Sequence, residues 1–298
     1  MAGNDSYTKL LLHFDGDNDS TVFTDSSAIP KSYISRGNTV LKTDQKKFGT
    51  ASAYFNGGVD YKIRYADHED FNFGSGDFTI DFWWRHNDRT AGTDITSHWD
   101  ADGVDSSWRI NYSPTSNDQC LRVYYSTDGT NPSSEQMRGP QGSFFTAQED
   151  TWVHIAFVRN GSTMYLFQDG AIMDTHNCGS ATLHDCSSSF NIGGYDTHIW
   201  GTRGYIDEFR VSKGIARWTE AFTPPTEAYT APHTLSGQLN SEARVIIFNQ
   251  SDWSIEDDQV RPAGSWTYNT TDSTKAIVAF KTSDGEGIAY GNLTPAAP

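Results

Sequence analysis

The runs 152–159 and 162–168 flank Asn160-Gly161, a hairpin signal that commits this part of the chain to antiparallel β structure. A two-residue type I′ turn needs positive φ at both central positions, and Asn-Gly supplies it at least cost. The run 78–85 shows the matching side-chain period. Phe78, Ile80, Phe82 and Trp84 point one way, while Thr79, Asp81, Trp83 and Arg85 point the other. Further strand-like runs occupy 8–14, 51–55, 61–64, 95–99, 107–112, 120–125, 171–174, 190–192 and 204–212, with Gly, Asn, Asp and Ser turns between them. No long stretch carries a 3.6-residue period, so helices should be few and short. The pattern predicts an all-β sandwich.

A length of 298 residues suits one large β domain plus a small one. Pro224, Pro225 and Pro232 interrupt any ladder and set the expected division into residues 1–231 and 232–298. The second part has its own runs at 244–249, 264–269, 275–281 and 287–292. A module of that size is marginal alone and is expected to pack on the first domain or on a neighbouring subunit. The formal charge of −16, without a basic cluster in the sequence, argues against nucleic acid. It suits solubility or divalent-cation binding. No apolar run has the length of a membrane span, and the apolar run at 10–12 is too short for a signal peptide. Cys178 and Cys186 would close a short hairpin if bridged; two free, partly buried thiols are the alternative. His176 and His184 flank them without a standard zinc spacing.

Residues 204–212 pose a specific question. Strict alternation puts Tyr205, Asp207, Phe209 and Val211 on one face, and Ile206, Glu208 and Arg210 on the other. A carboxylate on an apolar face must be answered by a cation, a basic side chain or solvent.

For ligand binding, Trp83, Trp99, Trp108, Tyr124, Tyr125 and Trp200 are aromatics that would stack on sugar faces if exposed. The competing reading of each is core packing. As a group, the loop residues Trp99, Asp100, Asp102 and Asp105, with the polar loop 126–142, are the better candidates, because sandwich-end loops carry recognition. Catalysis is not expected. The Glu-x-Asp-x-x-Glu strand motif of jelly-roll glycosidases is absent from the sequence. Asp77 and Asp81 would lie roughly 13 Å apart along a strand, too far for a retaining pair.

An ordered set of segments carries a family resemblance. LeuLeuLeuHisPheAspGly at 10–16, ThrAspSerSer at 24–27, PheGlyThrAlaSerAlaTyrPheAsnGly at 48–57 and GlySerGlyAspPheThrIleAspPheTrpTrpArg at 74–85 come first. TrpValHisIleAlaPheValArg at 152–159 with GlnAspGly at 168–170, then 190–193 and 204–212, complete it. Together they resemble the laminin-G-like, concanavalin-A-like jelly roll over residues 8–229. The resemblance implies two antiparallel sheets packed face to face, one of them often used for binding. It also implies adjacent first and last strands, with a structural calcium between Asp15, Asp207 and a backbone carbonyl near Asn56 or Gly57. An ion pair for Asp207, or a turn role for Asp15, is the alternative. The segment GlyIleAlaArgTrpThrGluAlaPheThrProPro at 214–225 is similar to the tail of such domains in bacteriophage structural and tail-fibre proteins. Residues 235–298 resemble a small carboxypeptidase-regulatory or transthyretin-like β-sandwich.

These resemblances imply a non-catalytic virion protein made in the host cytoplasm without a signal peptide. It would be a tail, fibre or capsid-surface component present in many copies or as a homo-oligomer. Its partners would be other virion proteins and host-surface glycans. The alternative is a carbohydrate-binding module of a secreted enzyme or adhesin.

Overall fold

The computed structural model describes residues 3–230 except 59, 89, 91, 101, 103, 115–118, 133, 141–148 and 196–200, and the backbone of six strands within 233–292. The chain forms two units. One spans Ser6–Ala228; the other starts at Tyr229 and takes in residues 3–5, through the Asn4 amide donating to the Thr230 carbonyl at 2.9 Å.

The first unit holds fifteen strands. They begin with β1 (Thr8–Leu12), β2 (Ser35–Gly37), β3 (Val40–Lys42), β4 (Ser52–Asn56) and β5 (Tyr61–Tyr65). Then follow β6 (Phe78–His86), β7 (Thr93–Trp99), β8 (Ser106–Ser113), β9 (Cys120–Tyr125) and β10 (Met137–Arg138). The last are β11 (Trp152–Asn160), β12 (Thr163–Gln168), β13 (Ala171–Asn177), β14 (Phe190–Ile192) and β15 (Arg203–Lys213). The helical content among the described residues is one 3₁₀ turn, Glu69–Phe71.

Two antiparallel sheets result. The first is ordered β13-β12-β11-β6-β15-β4-β3, with β1 also paired to β15; the second is ordered β10-β9-β8-β7-β14-β5-β2. This is an all-β jelly-roll sandwich whose first and last strands lie side by side, Leu12 opposite Phe209. One aromatic-rich core lies between the sheets. Phe78, Ile80, Phe82 and Trp84 of β6, Trp108, Ile110 and Tyr112 of β8, and Phe157 of β11 are all buried in it. The Phe82 and Phe209 rings stack at 5.3 Å. Cutting such a ring back to alanine costs about 3–5 kcal/mol.

Strict alternation fails in β15. A β-bulge between Asp207 and Arg210, with Glu208 at φ +49°, shifts the side-chain phase by one. Asp207 therefore does not share a face with Phe209 and Val211. Ile206, Phe209 and Val211 enter the core, while Asp207 pairs with Trp83 on the outer side.

The outer side of the first sheet is covered. Residues 214–225 cross it as a strap. Trp218 and Phe222 stack at 4.1 Å and pack on Ala156, Val158 and Phe167. Thr79 pins the strap, its hydroxyl donating to the Ile215 carbonyl at 3.1 Å and accepting from the Arg217 amide at 3.0 Å. Beneath it lies a buried ion pair, with Arg210 Nε donating to Asp81 Oδ1 at 2.9 Å and the guanidinium 5.7 Å from the Trp218 ring. At the other end Lys47 Nζ sits 3.7 Å from the Trp83 ring centre, with Phe48 edge-on at 6.0 Å.

The second unit contains β16 (His233–Leu239), β17 (Ala243–Phe248), β18 (Ile255–Arg261), β19 (Gly264–Thr270), β20 (Ile277–Thr282) and β21 (Ile288–Asn292). β16 pairs with β19, and the other four form a sheet ordered β18-β17-β20-β21.

Candidate functional site

The second sheet has a different outer side, polar and basic. Cross-strand register arranges it in two rows. One row runs Arg64, Asn191, Ser97, Arg109 and Tyr124 across β5, β14, β7, β8 and β9. The other runs Asp94, Asn111, Arg122 and Arg138 across β7 to β10. In β8 the cause is plain alternation, since Trp108, Ile110 and Tyr112 face the core and leave Arg109 and Asn111 outward. In β7 a bulge between Asp94 and Thr96 keeps Ile95 in the core and sets Asp94 opposite Asn111.

Arg109 is the centre of this surface. Its guanidinium lies 4.3 Å from the Tyr124 ring centre, 5.0 Å from Trp99 and 5.3 Å from Tyr195. These rings form a small buried cluster separate from the main core. Arg109 Nη1 is also 3.7 Å from Asp94 Oδ1. The segment after β14 supplies Tyr195 and is tied to β7. Gly193 N–H donates to the Ile95 carbonyl at 2.7 Å, Ser97 Oγ to the Gly194 carbonyl at 3.0 Å, and Lys62 Nζ to the Tyr195 carbonyl at 3.2 Å. Gly193 has φ +95°, and a Cβ there would strike the Phe55 ring at 2.3 Å.

A pocket of about 450 Å³ opens here, lined by Thr93, Asp94, Arg109, Asn111, Arg122 and Tyr195 among others. Burial pushes the Asp94 carboxyl up to about 7, against the opposing pull of Arg109 and Asn111. Two buried polar atoms in the lining, Arg109 Nε and Asn111 Oδ1, have no hydrogen-bond partner among the described residues. A desolvated donor and acceptor left unmade are costly, at about 1–3 kcal/mol each. The pocket thus offers a guanidinium, an amide, a carboxyl near its titration point and aromatic walls. That set suits a polyhydroxylated or anionic ligand.

Of the residues singled out in the sequence, Trp99 and Tyr124 join this site as supports beneath Arg109, both buried rather than exposed. Trp108 is fully buried in the core and Trp83 is covered by Lys47 and Phe48, so neither offers a free ring. Tyr125 lies on the other side of β9, where its hydroxyl meets His176 Nε2 at 2.8 Å and its ring packs on the core. Asp100 is half-buried and Asp102 exposed in the turn after β7, and neither lines the pocket. Trp200 lies outside the described residues. Asp105 is engaged locally, accepting from Ser187 Oγ at 2.7 Å and meeting His184 Nε2 at 2.9 Å. Arg109, Asp94, Asn111, Arg122 and Tyr195 were missed. The alternation of charged with apolar residues in 107–112 is the signal that would have found Arg109 and Asn111.

Of the three residues expected around calcium, Asp15 and Asp207 meet at one turn and Gly57 lies apart. Asp207 is fully buried, and its carboxylate accepts from the Lys47, Phe48 and Glu208 amides at 2.7, 3.1 and 2.9 Å. Burial pushes this carboxyl up to about 8, against the pull of the Phe48 and Lys47 amides. Asp15 accepts from the amide and hydroxyl of Thr50, so both acids hold the turn at 47–50. Gly57 follows Asn56, which pairs with Arg203. That places it about five positions from Asp207 along β15, roughly 16 Å. No group of three or more His, Cys, Asp or Glu side chains among the described residues is arranged to hold a metal. Cys120, Cys178 and Cys186 are buried free thiols, so Cys178 and Cys186 are not bridged.

The family model described as the concanavalin A-like lectin/glucanases superfamily (Laminin_G_3) matches residues 56–220, more than half of the chain. The chain belongs to this superfamily. Solved structures sharing the superfamily fold include domain 4 of AbnA, an extracellular arabinanase from Geobacillus stearothermophilus, in complex with arabinotriose. It is 18% identical, with TM-score 0.50, over 76% of this chain and 97% of that one. The botulinum neurotoxin serotype G binding domain is 12% identical, with TM-score 0.52, over 95% and 69%. The serotype D ligand-binding domain in complex with N-acetylneuraminic acid is 10% identical, with TM-score 0.51, over 93% and 71%. These likenesses concern the fold. No curated protein sequence matches the chain.

Proposed function

We propose that the first unit is a non-catalytic carbohydrate-binding module whose glycan lies in the Arg109 pocket on the outer side of the second sheet. The observation that carries this is that buried Arg109 Nε and Asn111 Oδ1, beside the Tyr195 wall, have no hydrogen-bond partner among the described residues. A sugar hydroxyl both donates and accepts, and its ring packs on aromatic carbon. The other sheet's outer side is occupied by the strap. Two of the fold's relatives are complexes with sugars, arabinotriose and N-acetylneuraminic acid. Asp94 is the single carboxylate among the described residues of the pocket lining, whereas glycoside hydrolysis needs two. A glycan array probed with wild type, Arg109→Ala and Tyr195→Ala tests the reading. Signals weakened tenfold or more by both substitutions are expected. A blank wild-type array, or variants that bind as well as wild type, would overturn it.

Superfamily and relatives favour a sugar-binding module of a larger enzyme or adhesin over a virion part. The resemblance of 214–225 to phage tail proteins favours the second reading, display on a bacteriophage particle. Many copies would then bind host glycans avidly. Electron microscopy of antibody-labelled particles tests that location. A structural calcium would sit near Asp15 and Asp207, and Gly57 would not reach it.

A further inference from the structure

Two buried acids of the first unit, Asp81 and Asp94, each face an arginine, and the spacing differs. Beneath the strap Arg210 meets Asp81 at 2.9 Å through Nε and at 3.2 Å through Nη2, a closed two-point pair. In the pocket Arg109 Nη1 stands 3.7 Å from Asp94 Oδ1, beyond the roughly 2.7–2.9 Å of a charge-assisted hydrogen bond. The Arg109 guanidinium is surrounded instead by the rings of Tyr124, Trp99 and Tyr195.

Asp94 is only 3% exposed yet lines the pocket, so its carboxyl is shielded from bulk water at a place a ligand can reach. Such burial favours the neutral acid, and a neutral carboxyl donates a hydrogen bond, which a carboxylate cannot. Arg109 and Arg122 line the same pocket from β8 and β9, and Tyr195 from the segment after β14. Lys62 of β5 reaches that segment, donating to the Tyr195 carbonyl at 3.2 Å. Asn111, opposite Asp94 in register, is uncharged. His98, further along β7, meets the Ser188 carbonyl at 2.9 Å. No histidine is among the described residues of the lining.

From this geometry we infer that Asp94 grips the glycan as a neutral acid, donating to an uncharged sugar oxygen beside Arg109, and that loss of its proton releases the glycan. This inference rests on the carbohydrate reading of the same pocket. Arg109 Nε donates to the sugar as well, and Asn111 Oδ1 accepts from one of its hydroxyls. Once the proton has left for solvent, Asp94 no longer donates. Its carboxylate then competes with the sugar for the guanidinium.

Calorimetric titration of the full chain at pH 6 and pH 8 tests this. The probes are uncharged tetrasaccharides of glucose, mannose, galactose, arabinose and N-acetylglucosamine. The best binder should be held about tenfold more weakly at pH 8 than at pH 6, as one proton lost at about pH 7 requires. Asp94→Asn keeps an uncharged donor and should bind equally at both pH values, near the wild-type affinity at pH 6. Asp94→Leu should bind weakly at both. Wild-type affinity that is the same at the two pH values, or higher at pH 8, overturns the inference and leaves the module reading standing. A pH dependence that Asp94→Asn retains overturns it equally. Binding to none of the probes at either pH overturns the inference, and a blank glycan array would then take the module reading with it.

Discussion

The guanidinium of Arg109 lies 4.3 Å from the centre of the Tyr124 ring, on the side of the second sheet turned away from the core. Opposed positions on β8 and β9 bring them together, and Trp99 and Tyr195 complete the surround. The arginine is thereby held among three rings in the lining of the pocket.

Arg109→Ala should lower stability by about 1–3 kcal/mol, because three ring contacts go and Asp94 loses its neighbouring cation. Arg109→Lys should recover part of that stability but little of the ligand affinity, since an ammonium lacks the fork. Denaturant melts and titrations of both variants check the split.

Asp94 should make stability fall as pH rises. The unfolded carboxyl releases its proton near 3.8 and the folded one at about 7, so between these values the folded state holds the extra proton. Arg109, Asn111 and Tyr195 face the group. Arg109 opposes the shift, and burial outweighs it. Comparing wild type with Asp94→Asn at pH 5 and pH 8 isolates the effect from other titrating groups. Wild type should lose ground to the variant at the higher pH; a constant gap would contradict the assignment.

Beneath the strap, burial alone would raise the Asp81 carboxyl, but Arg210 and His154 hold it down to about 2. Its contribution is therefore complete above pH 4 and is lost as pH falls from there towards 2. Arg210→Met takes the guanidinium from a buried carboxylate, leaving it only His154, and should cost about 3–5 kcal/mol at neutral pH. The double variant Asp81→Leu with Arg210→Met should recover much of that loss, measured by urea midpoints.

Asp207 is held by three backbone amides, two of them in the turn that Asp15 also holds. Calcium beside these two acids predicts a melting temperature that falls in a chelator, and Asp207→Ala should abolish that fall. Melts that are the same with and without a chelator would remove calcium from this place.

The sandwich was legible because β6, β8, β11 and the Asn160-Gly161 hairpin follow period two and turn chemistry without interruption. The short strands β2, β3 and β10 were not, since two or three residues carry no periodic signal. In β15 and β7 bulges reversed the phase, and a bulge at Asp207 or Ile95 has no marker in an isolated sequence. The site was half visible. Aromatic content pointed to Trp99 and Tyr124, yet their role depends on Arg109, which register alone places over them. The strap at 214–225 stood out as aromatic and proline-ended, but its function of sealing the Asp81–Arg210 pair required the fold.

A crystal structure of the full chain with its best-binding oligosaccharide tests the central claim most directly. The account predicts sugar density against Arg109, Asn111 and Tyr195. Density confined to the strap side of the first sheet, or to the loop carrying Asp100 and Asp102, would contradict it.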